Sequence, residues 1–244
     1  MAAFYPLAWA ASEIASGLAV RNLTPPGAEP HDVELSPRDA EAIRGAALVV
    51  FAGGGFQPAV EDALRDRDGA VVDVVPAGEG DPHVWLDPAA FAAITELFGA
   101  ALERPEEGSE LADRLRDLDG EYLRGLATCR RRVLVTTHGA FGHLAARYGL
   151  TQLALAGLSP ESEPGPRELE RLVDDVRASG ATTVFAEPLV SDRLAETVAR
   201  EAGVEVATLD PIEGLGEDRL AAGEDYLSVM RDNLVALRKA LGCR

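Results

Sequence analysis

Short apolar runs alternate along this chain with longer segments of helical periodicity, the pattern of parallel sheets flanked by helices. In the first half the runs predict strands at Leu18–Leu23, Ala47–Ala52 and Val71–Val75, with a stub near Ala3–Tyr5. In the second half they predict strands at Arg132–Thr137, Leu153–Ala156, Thr182–Ala186 and Val204–Leu209. Helix starts are written into Ser36-Pro37 and Asp87-Pro88, where a capping side chain precedes a proline at the first helical position. Further helices are expected from about Gly139 to Tyr148, Arg167 to Ser179, Asp192 to Ala202 and Glu224 to Leu241.

Between the halves, Leu111, Leu115, Leu118, Tyr122 and Leu126 recur at helical spacing on a segment otherwise crowded with charge. Pro and Ser are nearly absent there, so a long amphipathic helix fits better than a flexible linker. The expected fold is α/β, with two lobes, each a roughly four-stranded parallel sheet with flanking helices. One long connecting helix joins them, which divides the chain into 1–104, 105–129 and 130–244.

Charge narrows the function classes. The 244 residues carry 41 acidic against 23 basic side chains, a formal net charge of −18. Such a surface repels nucleic acid and acidic lipid headgroups and draws in cations, so no nucleic-acid partner is expected. Lys239 is the only lysine, which removes phosphate-loop and Schiff-base chemistry. Gly53-Gly54-Gly55 lacks the spacing of a nucleotide loop and reads as a tight turn. No run of 18 apolar residues occurs, and Met1-Ala2-Ala3 leads into Phe4-Tyr5-Pro6 with no basic region or apolar signal core.

Chemistry concentrates on four histidines. His31 lies in the polar turn Glu29-Pro30-His31-Asp32, and His83 in Asp81-Pro82-His83-Val84-Trp85-Leu86-Asp87-Pro88. His138 ends the strand Val133-Leu134-Val135-Thr136-Thr137, and Asp210 ends Val204–Leu209 in the same way. Open α/β sheets bind ligands outside the carboxyl ends of their strands, so these loops can present three imidazoles and a carboxylate to one ion. Three nitrogens and one oxygen suit tetrahedral Zn²⁺. Singly, each histidine is more often a capped or hydrogen-bonded residue than a ligand. Glu187 follows another strand and reads as an acceptor for a ligand's N–H, or as structural, rather than as a ligand. His143, five residues after His138, turns to a different side of its helix.

Together these neighbourhoods resemble the zinc- and manganese-specific substrate-binding proteins of bacterial ABC importers, zinc-uptake branch. The resemblance covers nearly the whole chain: Phe4-Tyr5-Pro6-Leu7, Gly27-Ala28-Glu29-Pro30-His31-Asp32, the Asp81–Pro88 segment, Thr137-His138-Gly139-Ala140-Phe141, Phe185-Ala186-Glu187-Pro188, Leu209-Asp210-Pro211 and Asp225-Tyr226-Leu227. It implies a non-enzymatic receptor that binds Zn²⁺ through His31, His83, His138 and Asp210. It also implies delivery to the membrane permease of an ABC importer and its ATPase, a monomeric state and an extracytoplasmic location, with the signal segment absent from this chain. Mn²⁺ or another divalent transition metal is the alternative cargo; a third imidazole at His138, where manganese receptors carry Glu, favours zinc. Pro76-Ala77-Gly78-Glu79-Gly80 replaces the long His-rich loop common in zinc receptors. Rival readings are an adhesin of the same fold, a zinc hydrolase and a cytosolic metal chaperone.

Cys129 and Cys243 are too few for a thiolate zinc site. They are either two thiols or one disulfide. Cys129 ends the connecting helix and Cys243 the last one, which in a compact lobe favours the bond.

Overall fold

The computed structural model describes residues 1–65, 67–75, 80–159 and 164–244. Positions 76–79 of the short loop noted above therefore lie outside the described residues. The chain divides into two compact units: Met1–Leu118 with Ile212–Tyr226, and Asp119–Pro211 with Leu227–Arg244.

In the first unit, Ala2 forms parallel bridges to Asn22 on one side and Val50 on the other. Beyond Val50, β1 (Leu48–Phe51) pairs in parallel with β2 (Ala70–Asp73), Leu48 opposite Ala70. Four extended segments thus lie side by side. The two predicted strands at Leu18–Leu23 and Ala3–Tyr5 shrink to single bridges, because Phe4 already caps α1 (Tyr5–Ile14) and Pro6 sits in its first turn. α2 (Pro37–Gly45) opens with a reciprocal capping box between Ser36 and Asp39. α3 (Pro58–Leu64) follows the glycine run. α4 (Pro88–Ala101) is capped by Asp87, whose carboxylate accepts from Ala89 N at 2.9 Å and Ala90 N at 3.3 Å.

α4 turns back into α5 (Pro105–Leu126) at Gly99 and Gly108. A Cβ on Gly99 would lie 2.9 Å from the Gly108 Cα, and one on Gly108 2.8 Å from the Gly99 Cα, so the two helices touch backbone to backbone. The apolar stripe read from the sequence is the buried face of α5, with Leu111, Leu115, Leu118, Tyr122 and Leu126 all 2% exposed or less. The unit boundary falls after Leu118, inside this helix. Tyr226 closes the first core: its ring stacks on Trp9 with centroids 4.9 Å apart, and its hydroxyl donates to the Trp85 carbonyl at 2.5 Å.

The second unit holds an all-parallel sheet in the order β4-β3-β5-β6, built from β3 (Val133–Thr136), β4 (Thr151–Ala154), β5 (Thr183–Ala186) and β6 (Glu205–Thr208). β4 starts two residues earlier than expected, because Gly149 ends the preceding helix with φ +65° and the chain extends at once. α6 (Gly142–Arg147), α7 (Pro166–Ser179), α8 (Arg193–Ala202) and α10 (Tyr226–Leu241) belong to this unit, and the short α9 (Glu217–Ala221) to the first. α7 and α8 close on Gly180 (φ +68°) and Gly203 (φ +76°).

Within each unit the first extended segment in the chain is flanked by the second and the third, with the fourth beyond the third. The two units therefore share one strand order. The crevice between the first and third segments is the switch point where such sheets place ligands.

Cys129 and Cys243 are bonded, with Cα atoms 3.8 Å apart. Around that bond, Arg131 N donates to the Leu241 carbonyl at 3.0 Å and Thr128 Oγ1 to the Arg244 carbonyl at 3.0 Å.

Candidate metal centre

His31 sits on a single 3-10 turn, Pro30–Asp32. Proline enters that turn, and the Glu29 carboxylate caps it by accepting from His31 N at 3.2 Å. The carbonyl beside the histidine is held from within: the Gln57 amide, wholly buried, donates to the Pro30 carbonyl at 3.2 Å and to Thr24 Oγ1 at 3.0 Å. Thr24 in turn donates to the Ala3 carbonyl at 2.8 Å. These bonds satisfy polar groups that would otherwise be costly in the core, and they fix the His31 loop to the first segment of the sheet.

His83 precedes another 3-10 turn, Val84–Leu86, and is fully buried. Asp81 accepts from the His83 backbone N at 3.0 Å and meets its Nδ1 at 2.7 Å. With Nδ1 committed to a carboxylate, Nε2 is the ring atom left able to bind a cation. That atom lies 3.1 Å from Glu213 Oε1, and His31 Nε2 lies 3.5 Å from the same oxygen. Ligand-type atoms of His31, His83 and Glu213 all fall within 4.8 Å of one another. Ligands at about 2.0–2.1 Å from a tetrahedral zinc stand about 3.3 Å apart. The two separations bracket that edge length, so each histidine stands from Glu213 at the spacing of two ligands on one ion.

Aromatic rings frame both imidazoles. Phe56 meets His31 edge to face at 4.4 Å between centroids, and Trp85 approaches His83 at 5.1 Å. These apolar neighbours exclude water and lower the local dielectric, which strengthens ion–ligand attraction. Glu213 is 1% exposed. It follows Ile212, whose φ of +58° puts a β-branched residue in the left-handed region. Such a backbone costs energy and persists only where its surroundings enforce it.

In the second unit, His138 follows β3 and Glu187 follows β5, the two neighbours at that sheet's switch point. Both are buried. Glu187 Oε2 lies 2.5 Å from His138 Nδ1, while Oε1 accepts from His138 N at 3.1 Å and from the Thr137 hydroxyl. Glu187 therefore orients His138 as Asp81 orients His83, in each case leaving Nε2 for a cation. Gln152 supports the turn from the other side, donating to the His138 carbonyl at 2.9 Å. Asp210 is buried, and Asn233 grips its backbone at both ends, accepting from Asp210 N at 2.9 Å and donating to Asp210 O at 2.7 Å. His143 lies half-buried on α6.

Of the residues read from the sequence, His31 and His83 come together in the first unit, and His138 and Asp210 lie in the second. The carboxylate found beside His31 and His83 is Glu213, which the sequence reading did not single out. Gln57 was likewise missed. A buried amide flanked by Gly53-Gly54-Gly55 and Pro58 leaves no periodic signal, whereas Glu213, three residues beyond Asp210, stood within reach of the same motif.

Asp81→Asn and Glu187→Gln are expected to lower divalent-metal affinity roughly 10–100-fold each, through loss of imidazole orientation and basicity. His143→Ala is expected to leave it unchanged. Isothermal titration calorimetry of the three variants checks this, and equal losses in all three would contradict it.

The profile of one family, the periplasmic zinc-uptake complex component A, matches residues 1–240. The zinc-binding protein AdcA of Streptococcus pyogenes serotype M6 is 31% identical over an alignment covering 87% of this chain and 50% of that protein. The chain thus spans about half the length of the curated relatives it matches first. Among solved structures, the Zn(II)-bound ZnuA-like domain of Streptococcus pneumoniae AdcA superposes with a TM-score of 0.81 at 32% identity, covering 98% of this chain and 97% of that one. The laminin-binding protein Lmb of Streptococcus agalactiae, described as having adhesin and metal transporting activity, gives 0.86 at 30% identity, covering 98% of each.

Proposed function

Because the chain belongs to the periplasmic zinc-uptake component A family, we propose that it captures a divalent transition metal, zinc first, and hands it to the permease of an ABC importer. The family consists of substrate-binding transport proteins. The observation that carries the reading is the cluster of His31 with the buried His83 and Glu213, in which both histidines stand from Glu213 at ligand spacing.

In this reading His138 supplies the third imidazole, its Nδ1 held by Glu187. The carboxylate is Glu213, which already stands against two of the histidines, with Asp210 as the alternative. Three imidazoles and one carboxylate form a borderline-soft set that suits Zn²⁺ better than Mn²⁺. Four protein ligands close the coordination sphere and leave no position for a reactive water, so metal capture rather than hydrolysis is the expected chemistry. The Cys129–Cys243 bond supports an extracytoplasmic location, because disulfides persist outside the reducing cytosol.

Zinc titration of metal-stripped protein tests the proposal, with one ion per chain expected. Glu213→Gln should weaken binding by at least tenfold more than Asp210→Asn, the margin expected when a direct ligand rather than a bystander is lost (about 1.4 kcal/mol). The opposite ranking would move the carboxylate to Asp210. Unchanged affinity in both variants would end the reading.

A further inference from the structure

Two stretches of the second unit break the acidic average of the chain. No Asp or Glu occurs from Tyr122 to Arg132 or from Asn233 to Arg244, and these stretches carry Arg124, Arg130, Arg131, Arg132, Arg238 and Lys239. The fold brings them to one end of the unit. The Cys129–Cys243 bond ties the two stretches together, and Arg238 Cδ lies 3.4 Å from where a Cβ on Gly125 would stand. A Cβ on Gly242 would stand 3.1 Å from Arg131 Nη1 and 3.2 Å from Arg130 Nε, so two cations crowd one glycine. All but the half-buried Arg131 are exposed.

Helix ends account for part of this charge. Arg132 donates to the carbonyls of Leu126 at 3.1 Å and Ala127 at 3.2 Å, and Arg131 to that of Ala240 at 3.5 Å, at the ends of α5 and α10. The side chains of Arg124, Arg130, Arg238 and Lys239 have no hydrogen bond and no ion pair among the described residues. Elsewhere arginines are matched: Arg21 holds Asp39, Arg114 holds Glu13 and Arg116 holds Glu96. Glu121, just before the first stretch, is already engaged by Arg231 at 2.9 Å. Like charges gathered without a counter-charge repel one another, and an anionic partner relieves that cost.

What the patch lacks selects the partner. The amides that could cradle a discrete phosphate are spent on the helix cap, Gly242 N on the Lys239 carbonyl and Cys243 N on the Arg238 carbonyl. No aromatic residue lies between Leu123 and Arg132 or between Arg231 and Arg244 to stack on a base. What remains is unmatched charge beside Val235, which is 67% exposed one turn before Lys239 on α10. Basic side chains next to an exposed apolar one suit the interface of an anionic bilayer.

We infer that this end of the second unit docks on a surface of anionic phospholipid headgroups. The acidic remainder of the molecule does not prevent it, since charges farther than about 8 Å from the headgroups are largely screened at physiological salt. β3 carries the patch before its amino end and His138 after its carboxyl end. Docking therefore turns the His138 end of the unit away from the bilayer, the pose of a receptor that is collecting its ion. The choice of a bilayer rests on the importer reading above; the binding itself rests on the patch alone.

Co-sedimentation of the full chain, disulfide intact, with vesicles of phosphatidylcholine alone or mixed with phosphatidylglycerol tests the surface. Binding is expected to the mixed vesicles only, and it should be lost at about 1 M salt, where the screening length is about 3 Å. Replacing Arg130, Arg238 and Lys239 together by Gln should weaken it roughly 100-fold, at about 1 kcal/mol per basic residue. Replacing Arg38, Arg44 and Arg193 by Gln makes the same change in net charge elsewhere and should leave vesicle binding intact. Zinc affinity of the patch variant should be unchanged, which separates loss of docking from loss of the metal site. Equal vesicle binding by the two variants, or no preference for phosphatidylglycerol, would overturn the inference. Preference for soluble polyglutamate over the mixed vesicles would assign the patch to an acidic polypeptide instead.

Discussion

His83→Ala is expected to lower zinc affinity by roughly two to three orders of magnitude. Structural zinc sites contribute on the order of 10–16 kcal/mol in all, so one of four ligands accounts for roughly 3–4 kcal/mol, at about 1.4 kcal/mol per decade. The effect is larger here than at an exposed ligand. His83 is wholly buried, with Asp81 on one ring nitrogen and Glu213 against the other. Removing the ring leaves two carboxylates without their shared partner in an apolar setting, a loss beyond that of the metal bond. Competition titration with a zinc chelator reads the affinity, and circular dichroism shows whether the fold survives. If Ala destabilises the unit, His83→Gln fills the space and still lacks the imidazole. Full affinity in the glutamine variant would remove His83 from the ligand set.

Reduction of Cys129–Cys243, or its replacement by serines, is expected to cost roughly 2–5 kcal/mol of stability. The bond closes a loop with a sequence separation of 114, for which the chain-entropy model gives on the order of 4–5 kcal/mol. The loss should fall below that ceiling, because hydrogen bonds from Arg131 and Thr128 to the C-terminal residues hold the same ends together without the sulfurs. At about 2–4 °C per kcal/mol for a chain of this size, the melting temperature should fall roughly 5–15 °C. Calorimetry with and without reductant measures it. A shift under about 2 °C would mean that the C-terminal helix is already fixed by α10 packing alone.

How far the molecule could be read in advance depends on where its information is local. The buried strands of the second unit are continuous apolar runs, and capped helices announce themselves in Ser36-Pro37 and Asp87-Pro88, so these elements were legible. The first sheet was less so, because Ala2 contributes through single bridges that depend on partners 20 and 48 positions away. At the site, Glu187 was weighed as an orienting acceptor, and it does hold His138. Glu213 escaped notice for a backbone reason. The turn at Ile212 that presents it uses a conformation that a β-branched residue disfavours, so no local preference points to it. Gln57 orders the His31 loop through contacts 27 and 33 positions distant, which only the folded chain brings together.

The return of Ile212–Tyr226 to the first unit has a consequence for synthesis. Domains generally fold in the order in which they leave the ribosome. Here residues 1–118 emerge first but lack both Glu213 and the Tyr226 ring that stacks on Trp9. The first unit stays incomplete until residues 119–211 have been made, so its maturation waits on its neighbour. A nascent chain stalled before Ile212 should expose Trp9 to quenchers, and one released after Tyr226 should bury it. The two units therefore complete their folding together, once the segments from Ile212 to Arg244 have been made.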